Sequence, residues 1–168
     1  MAQVLLIYDS RAGLVQQLAD AVAEGVRATE GAKLLDLSVD DADPAELLRC
    51  DALILGSPNW TGMTGKLKAW LDESGDLWES GELAGKPGAA FVAGWSPQGG
   101  LEATLLQLMH LLVGHGMIFV GLPWSERMRR SGSYYGATAV AEVGEDDREQ
   151  ARTLGRRVAR LAVRLEAS

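Results

Sequence analysis

Three short stretches carry the residues best suited to binding chemistry. Ser10-Arg11-Ala12-Gly13, running on into Leu14 and Val15, joins an apolar run to an amphipathic one. A hydroxyl, a guanidinium and the amide N–H groups that open a helix are the groups that hold a phosphate. Pro58-Asn59-Trp60-Thr61-Gly62 sets an indole among small residues after another apolar run, and Gly94-Trp95-Ser96-Pro97-Gln98-Gly99-Gly100 repeats the theme further on. An indole can cover one face of a flat ring, and glycine lets backbone come close to one. Each stretch alone has a plainer reading, Ser10 as a helix cap and the indoles as edges of a core. Together they suit one planar aromatic ligand with a phosphate tail, the outline of FMN.

These stretches need a frame that brings them to one place. Val4–Tyr8, Lys33–Leu37, Ala52–Gly56, Gly88–Ala93 and Met117–Val120 are short apolar runs without polar alternation, the pattern of strands covered on both faces. Between them lie helical patterns. Leu14, Val15, Leu18, Ala19, Val22 and Val26 recur three or four apart; Ala45–Leu48 follows the start signal Asp43-Pro44; Lys66–Leu71, Leu101–Val113 and Asp146–Leu165 follow in turn. Alternation of this kind predicts an α/β fold: a doubly wound, five-stranded parallel sheet in the order 2-1-3-4-5, a three-layer sandwich of the flavodoxin-like kind, with residues 1–168 forming one domain. Ligands in such sheets bind beyond the carboxyl ends of the strands where the order reverses, which is where the three stretches fall. The irregular segment Pro123–Gly136 is expected to be a surface excursion near the site or a subunit contact.

Composition narrows the function. The 168 residues carry 16 Lys and Arg against 23 Asp and Glu, a net charge of -7, which argues against nucleic acid and acidic membranes as partners. One cysteine, Cys50, rules out a disulfide framework and reads as a buried structural thiol; two histidines make a metal site unexpected. No apolar run is long enough for a membrane span, and no signal peptide is visible, so a cytoplasmic protein is expected. A phosphoacceptor Asp after the third strand, a Gly-x-Ser-x-Gly elbow and a Gly-x-Gly-x-x-Gly fingerprint are all missing, which argues against a receiver domain, a serine hydrolase and a Rossmann nicotinamide domain.

The chain carries Tyr8-Asp9-Ser10 with Gly13, then Ala21-Val22-Ala23-Glu24-Gly25, Gly56-Ser57-Pro58 with Met63-Thr64-Gly65, Leu71 to Trp78, Gly114-His115-Gly116-Met117, and Tyr135-Gly136-Ala137-Thr138. In that order and spacing, and over Val4 to Leu165, it resembles the flavodoxin-like NAD(P)H:quinone oxidoreductases of the WrbA type. The resemblance implies noncovalent FMN, with Ser10, Arg11, Ala12, Gly13, Leu14 and Val15 at its phosphate. Pro58, Asn59, Trp60, Thr61 and Gly62 would run along the isoalloxazine, and Gly94, Trp95, Ser96, Pro97, Gln98, Gly99 and Gly100 along the ring edge and ribityl chain. Backbone N–H groups of the second and third loops would face the ring. The resemblance also places His115 beside the cofactor as a hydrogen-bonding or proton-donating group, and Trp78 in the quinone pocket of a neighbouring subunit. It implies two-electron reduction of quinones by NADH or NADPH in a homodimer or homotetramer. Ala12 and Leu14 stand where the family usually has Tyr and His, and the second loop is one residue shorter and lacks the family's Arg. Those departures leave open an FMN-binding electron carrier without NAD(P)H turnover, or a relative that has lost FMN.

Overall fold

The apolar runs form strands buried on both faces. The computed structural model describes residues 1–10 and 13–167, so Arg11 and Ala12 of the first loop lie outside the described residues. In chain order it runs β1 (Ala2–Tyr8), α1 (Leu14–Arg27), β2 (Ala32–Ser38), a 3-10 turn at Pro44–Arg49, β3 (Ala52–Pro58), α2 (Gly65–Asp72), α3 (Gly75–Ser80), β4 (Pro87–Gly94), α4 (Leu101–Gly114), β5 (Ile118–Phe119), a second 3-10 turn at Glu126–Arg129, β6 (Ala137–Val140) and α5 (Glu145–Glu166). The sheet is parallel throughout, in the order β2-β1-β3-β4-β5. Helices α1 and α5 cover one face, where Leu18, Val22, Leu154 and Val158 pack on Leu6, Ile54 and Phe91. Helices α2 and α4 cover the other, where Leu67, Trp70, Leu105 and Leu108 pack on Leu5, Leu53, Leu55 and Val92. The result is the expected three layers.

Three local expectations change. Ala45–Leu48 lies within a short 3-10 helix, Pro44–Arg49, and not an α-helix, with Asp43 Oδ1 accepting from the Ala45 amide at its start. The short helix α3 was not expected. The fifth strand is the larger correction: β5 pairs with Pro87 and Gly88 only, and β6 continues on the same edge of β4 opposite Phe91 to Gly94. One lane is therefore built from two pieces, interrupted by residues 120–136. The Leu122 amide turns away to the Tyr134 carbonyl at 3.0 Å, and Pro123 has no N–H to offer a ladder. The lane resumes at Ala137, just after Gly136, where a Cβ would stand 2.0 Å from the Ala90 carbonyl oxygen, so a side chain at 136 would push the returning strand off the sheet. The excursion is tied down by Arg127 and Arg130 on Asp146, by Ser131 on Asp147, and by Gln150 Nε2 donating to Ser131 O.

Candidate functional site

Parallel strands with helical returns put the ends of β1, β3 and β4 at one edge of the sheet. Leu14 and Val15 from the first loop, Pro58, Asn59 and Trp60 from the second, and Ala93, Gly94 and Trp95 from the third line one slot there. The expected convergence of the three stretches is thus present in the described residues. The slot is narrow, about 10 Å³. Trp60 and Trp95 at its mouth are 54% and 64% exposed, and neither indole N–H is hydrogen-bonded among the described residues.

Helix α1 begins beside the slot. Its N-cap is Gly13, held at φ 76°, so no side chain caps the helix, and its first turn carries no acid. The positive dipole end of this 14-residue helix, with no acid within its first turn, favours an anion. Helix α5 is the contrast within the same fold: Glu145, Asp146 and Asp147 fill its first turn, and Asp147 Oδ2 accepts from the Gly144 amide at 2.8 Å. A cavity of about 540 Å³ near that end is lined by Glu102, Glu142, Glu145, Asp146 and Asp147 against Arg130 alone, so a phosphate is disfavoured there.

The second loop is a tight tip. The Trp60 amide donates to Gly62 O at 2.9 Å, and Thr61 between them adopts φ 59°, a left-handed conformation rare for a β-branched residue. Most of its amides are already committed. Asn59 N donates to Ala93 O, Gly62 N to Asn59 Oδ1, Met63 N to Gln107 Oε1 and Thr64 N to Ser57 Oγ. Only the Thr61 N–H in this tip remains without a partner among the described residues, which corrects the expectation that the second loop turns a row of amides on the ring. In the third loop Gly99 N bonds Ser96 O, while the amides of Trp95, Ser96, Gln98 and Gly100 take no partner among the described residues. Thr104 and Gln107, which brace the tip, were not anticipated. The available signal was a Thr on the buried side of α4, between Leu101, Leu105 and Leu108.

His115 does not line its own chain's slot. It caps the C-terminal end of α4, and α4 starts at the third loop, so its 14 residues carry His115 about 20 Å down the sheet, to the opposite edge. There it lines a groove of about 270 Å³ with Leu71, His110 and Trp78. Trp78 is 58% exposed, and its indole N–H donates to Gly114 O at 2.8 Å, which fixes the ring beside His115. Burial lowers the His115 pKa, and its Nδ1 is buried without a partner among the described residues, so the imidazole is neutral at pH 7. Cys50 is a buried thiol as expected; its Sγ–H donates to Leu47 O, and burial pushes its pKa up to about 11. Among the described residues there is no His, Cys, Asp or Glu cluster that could hold a metal, and no helix long and apolar enough to cross a membrane.

A parallel sheet whose alternate strand tips close on one slot beside a glycine-capped helix start defines a mononucleotide-binding doubly wound protein. Residues 3–126 match the family described as NADPH-dependent FMN reductase, and the chain belongs to that family. It is 40% identical to an NAD(P)H dehydrogenase (quinone) of Archaeoglobus fulgidus over 191 aligned positions, covering 98% of this chain and all of that one. A protein of the same description from Gluconacetobacter diazotrophicus is 36% identical, with 99% and 100% covered. Among solved structures, a WrbA-like flavodoxin from Agrobacterium tumefaciens superposes with a TM-score of 0.77 at 28% identity, covering 98% of this chain and 99% of that one.

Proposed function

We propose that this chain binds FMN in the slot and carries two electrons from NADH or NADPH to a quinone. The observation that carries the reading is the meeting of the three loops beside the start of α1, where helix dipole and glycine cap favour a phosphate. The residues fit the group: apolar and indole walls suit its ring, and no carboxylate stands in the first turn of α1 to repel its tail. The chemistry such a group supplies when bound is hydride acceptance from a nicotinamide and two-electron delivery to a quinone.

In this reading Ser10 and the first amides of α1 hold the phosphate, with Arg11 and Ala12 completing the loop. Pro58 and Trp60 cover a ring face and shield it from water. The unpaired amides of Trp95, Ser96, Gln98 and Gly100 offer donors to the ring's electron-rich edge, and the Thr61 N–H offers one more. Trp78 and His115 belong to one rigid groove at the far edge of the sheet. They reach a slot only when supplied by a neighbouring copy, so the reading includes a homodimer or homotetramer with the quinone between one copy's slot and another's groove. There the neutral His115 holds an N–H that can hydrogen-bond a quinone oxygen. Names of the relatives and the fit of the site both support this assignment. A cytoplasmic setting, with Cys50 a free thiol and a nicotinamide as donor, belongs to the same reading.

The test is spectroscopic. The purified chain, supplied with FMN, is expected to show bound-flavin absorbance near roughly 450 nm that NADH or NADPH bleaches within the turnover time and benzoquinone restores. Bleaching far slower than quinone recolouring would make the chain an electron carrier, and no FMN binding would end the proposal.

A further inference from the structure

Asn59 ties together three sides of the slot. Its Nδ2 donates to Gly99 O at 2.6 Å, its Oδ1 accepts from Thr104 Oγ1 at 2.8 Å and from the Gly62 amide at 3.2 Å, and its backbone N–H donates to Ala93 O at 2.8 Å. An Asn side chain has two acceptor sites and two donor hydrogens; here both acceptor sites and one donor are committed inside the protein. Asn59 is therefore turned into the wall, not out toward a ring. Thr104 is fully buried on α4, and Gln107, three residues on, holds the Met63 amide at 3.0 Å. These bonds fasten both ends of the Trp60–Gly62 tip to the third loop and α4, and hold Thr61 in its left-handed backbone.

We infer that Asn59, seated on Thr104, is a positioning residue that sets the separation of the second and third loops and so prearranges the slot for a flavin ring. The inference rests on the proposed FMN reading. A tip so fastened loses little freedom when a ring arrives, whereas an unfastened tip must be ordered at the moment of binding. The amide of Asn59 acts through Trp60, Thr61 and Gly99; it touches no reacting atom.

The experiment titrates flavin-stripped full-length chain with FMN, following tryptophan and flavin fluorescence and the shape of the flavin absorption band, alongside the melting temperature of each flavin-free variant. Asn59→Ala is expected to weaken FMN by about tenfold or more and to leave a band closer to that of free FMN. Thr104→Val, nearly isosteric, is expected to weaken FMN about three- to tenfold, while Thr104→Ser keeps the hydroxyl and binds within about twofold of wild type. The double variant Asn59→Ala/Thr104→Val is expected to match Asn59→Ala, because the Thr104 bond needs the Asn59 oxygen. If wild type binds FMN and both Thr104→Val and Asn59→Ala bind it equally well with an unchanged band, the inference is overturned even if their melting temperatures fall. Should Asn59→Ala not fold, the Thr104→Val and Thr104→Ser pair decides alone. A wild-type chain that takes up no FMN overturns the proposed function and this inference with it, and is told apart by that first titration.

Discussion

A single charge placed at Gly13 separates phosphate binding from every other contribution to flavin affinity. Gly13 sits at φ 76°, and a Cβ built there meets nothing within 4 Å. Asp and Asn tolerate that left-handed backbone about equally and share one shape, so Gly13→Asp and Gly13→Asn differ by charge alone. In the flavin-free protein a carboxylate beside the α1 N-terminus is favourable by about 0.3 to 1 kcal/mol, so Gly13→Asp is expected to melt slightly above Gly13→Asn. With FMN bound the sign reverses. A unit charge about 6 Å from a phosphate of charge about -2 is repelled by roughly 1.4 kcal/mol at the dielectric of water and roughly 5.5 kcal/mol at an effective dielectric of 20. A site open to solvent on one side lies between, at about 2 to 3 kcal/mol, which is roughly 30- to 150-fold in Kd. Riboflavin has the same ring and no phosphate, so its affinity is expected to be the same in both variants. Calorimetric titration of the two proteins with the two flavins reads all four numbers. Equal FMN affinity in the Asp and Asn variants, at low salt, would refute the placing of the phosphate at α1. A parallel loss of riboflavin affinity would show that the substitution distorts the loop.

Gly136→Ala puts a methyl group 2.0 Å from the Ala90 carbonyl oxygen and 3.0 Å from Leu105, and is expected to cost about 2 to 4 kcal/mol of stability, read as a lowered denaturant midpoint with unchanged slope. Burial lowers the folded-state pKa of His115 below its unfolded value of about 6.5, so its contribution is present above that pH and is lost as pH falls through the folded pKa. His115→Gln is accordingly expected to flatten the fall in melting temperature on the acid side of about pH 6.5; a variant whose acid profile overlays wild type would contradict the assignment. Trp78→Ala is expected to lower kcat/KM for benzoquinone by about tenfold while leaving FMN affinity within about twofold, since in the proposed assembly a neighbouring copy's Trp78 meets the quinone and the chain's own loops hold the phosphate and ring. Light scattering of wild type at micromolar concentration is expected to give a multiple of the 17.9 kDa chain mass, and a monomer with full quinone turnover would contradict the shared site.

The sheet order and the layering were legible because they depend on features that one chain shows locally. Short unalternating runs such as Leu53–Leu55, bounded by turn residues, fit strands covered on both sides, and the spacing of Leu14, Leu18 and Val22 fits one buried side of a helix. The split fifth lane was not legible. Ala137–Val140 is short, weakly apolar and preceded by a glycine-rich segment, so nothing in its pattern separates it from a loop; its pairing is decided by the free edge of β4. The three binding loops could be found because strand ends in this topology converge whatever their composition. What each side chain does within them could not. Asn59 has the look of a ligand in sequence, yet its side chain is consumed by Gly99, Gly62 and Thr104, residues 3 to 45 positions away. The place of His115 was hidden for a related reason: a motif carries residue identity, while the end of the sheet it occupies follows from the length and direction of α4.

The most direct measurement is the crystal structure of the full-length chain with FMN. The account predicts the ring between the tips Pro58–Gly62 and Gly94–Gly100, with Pro58 and Trp60 against one face, the phosphate on the amides that open α1, and Trp78 with His115 of a neighbouring copy facing the exposed side of the ring. Flavin seated instead in the acid-lined cavity by Arg130 or in the chain's own Trp78–His115 groove, with the three tips still closed on each other, would contradict it.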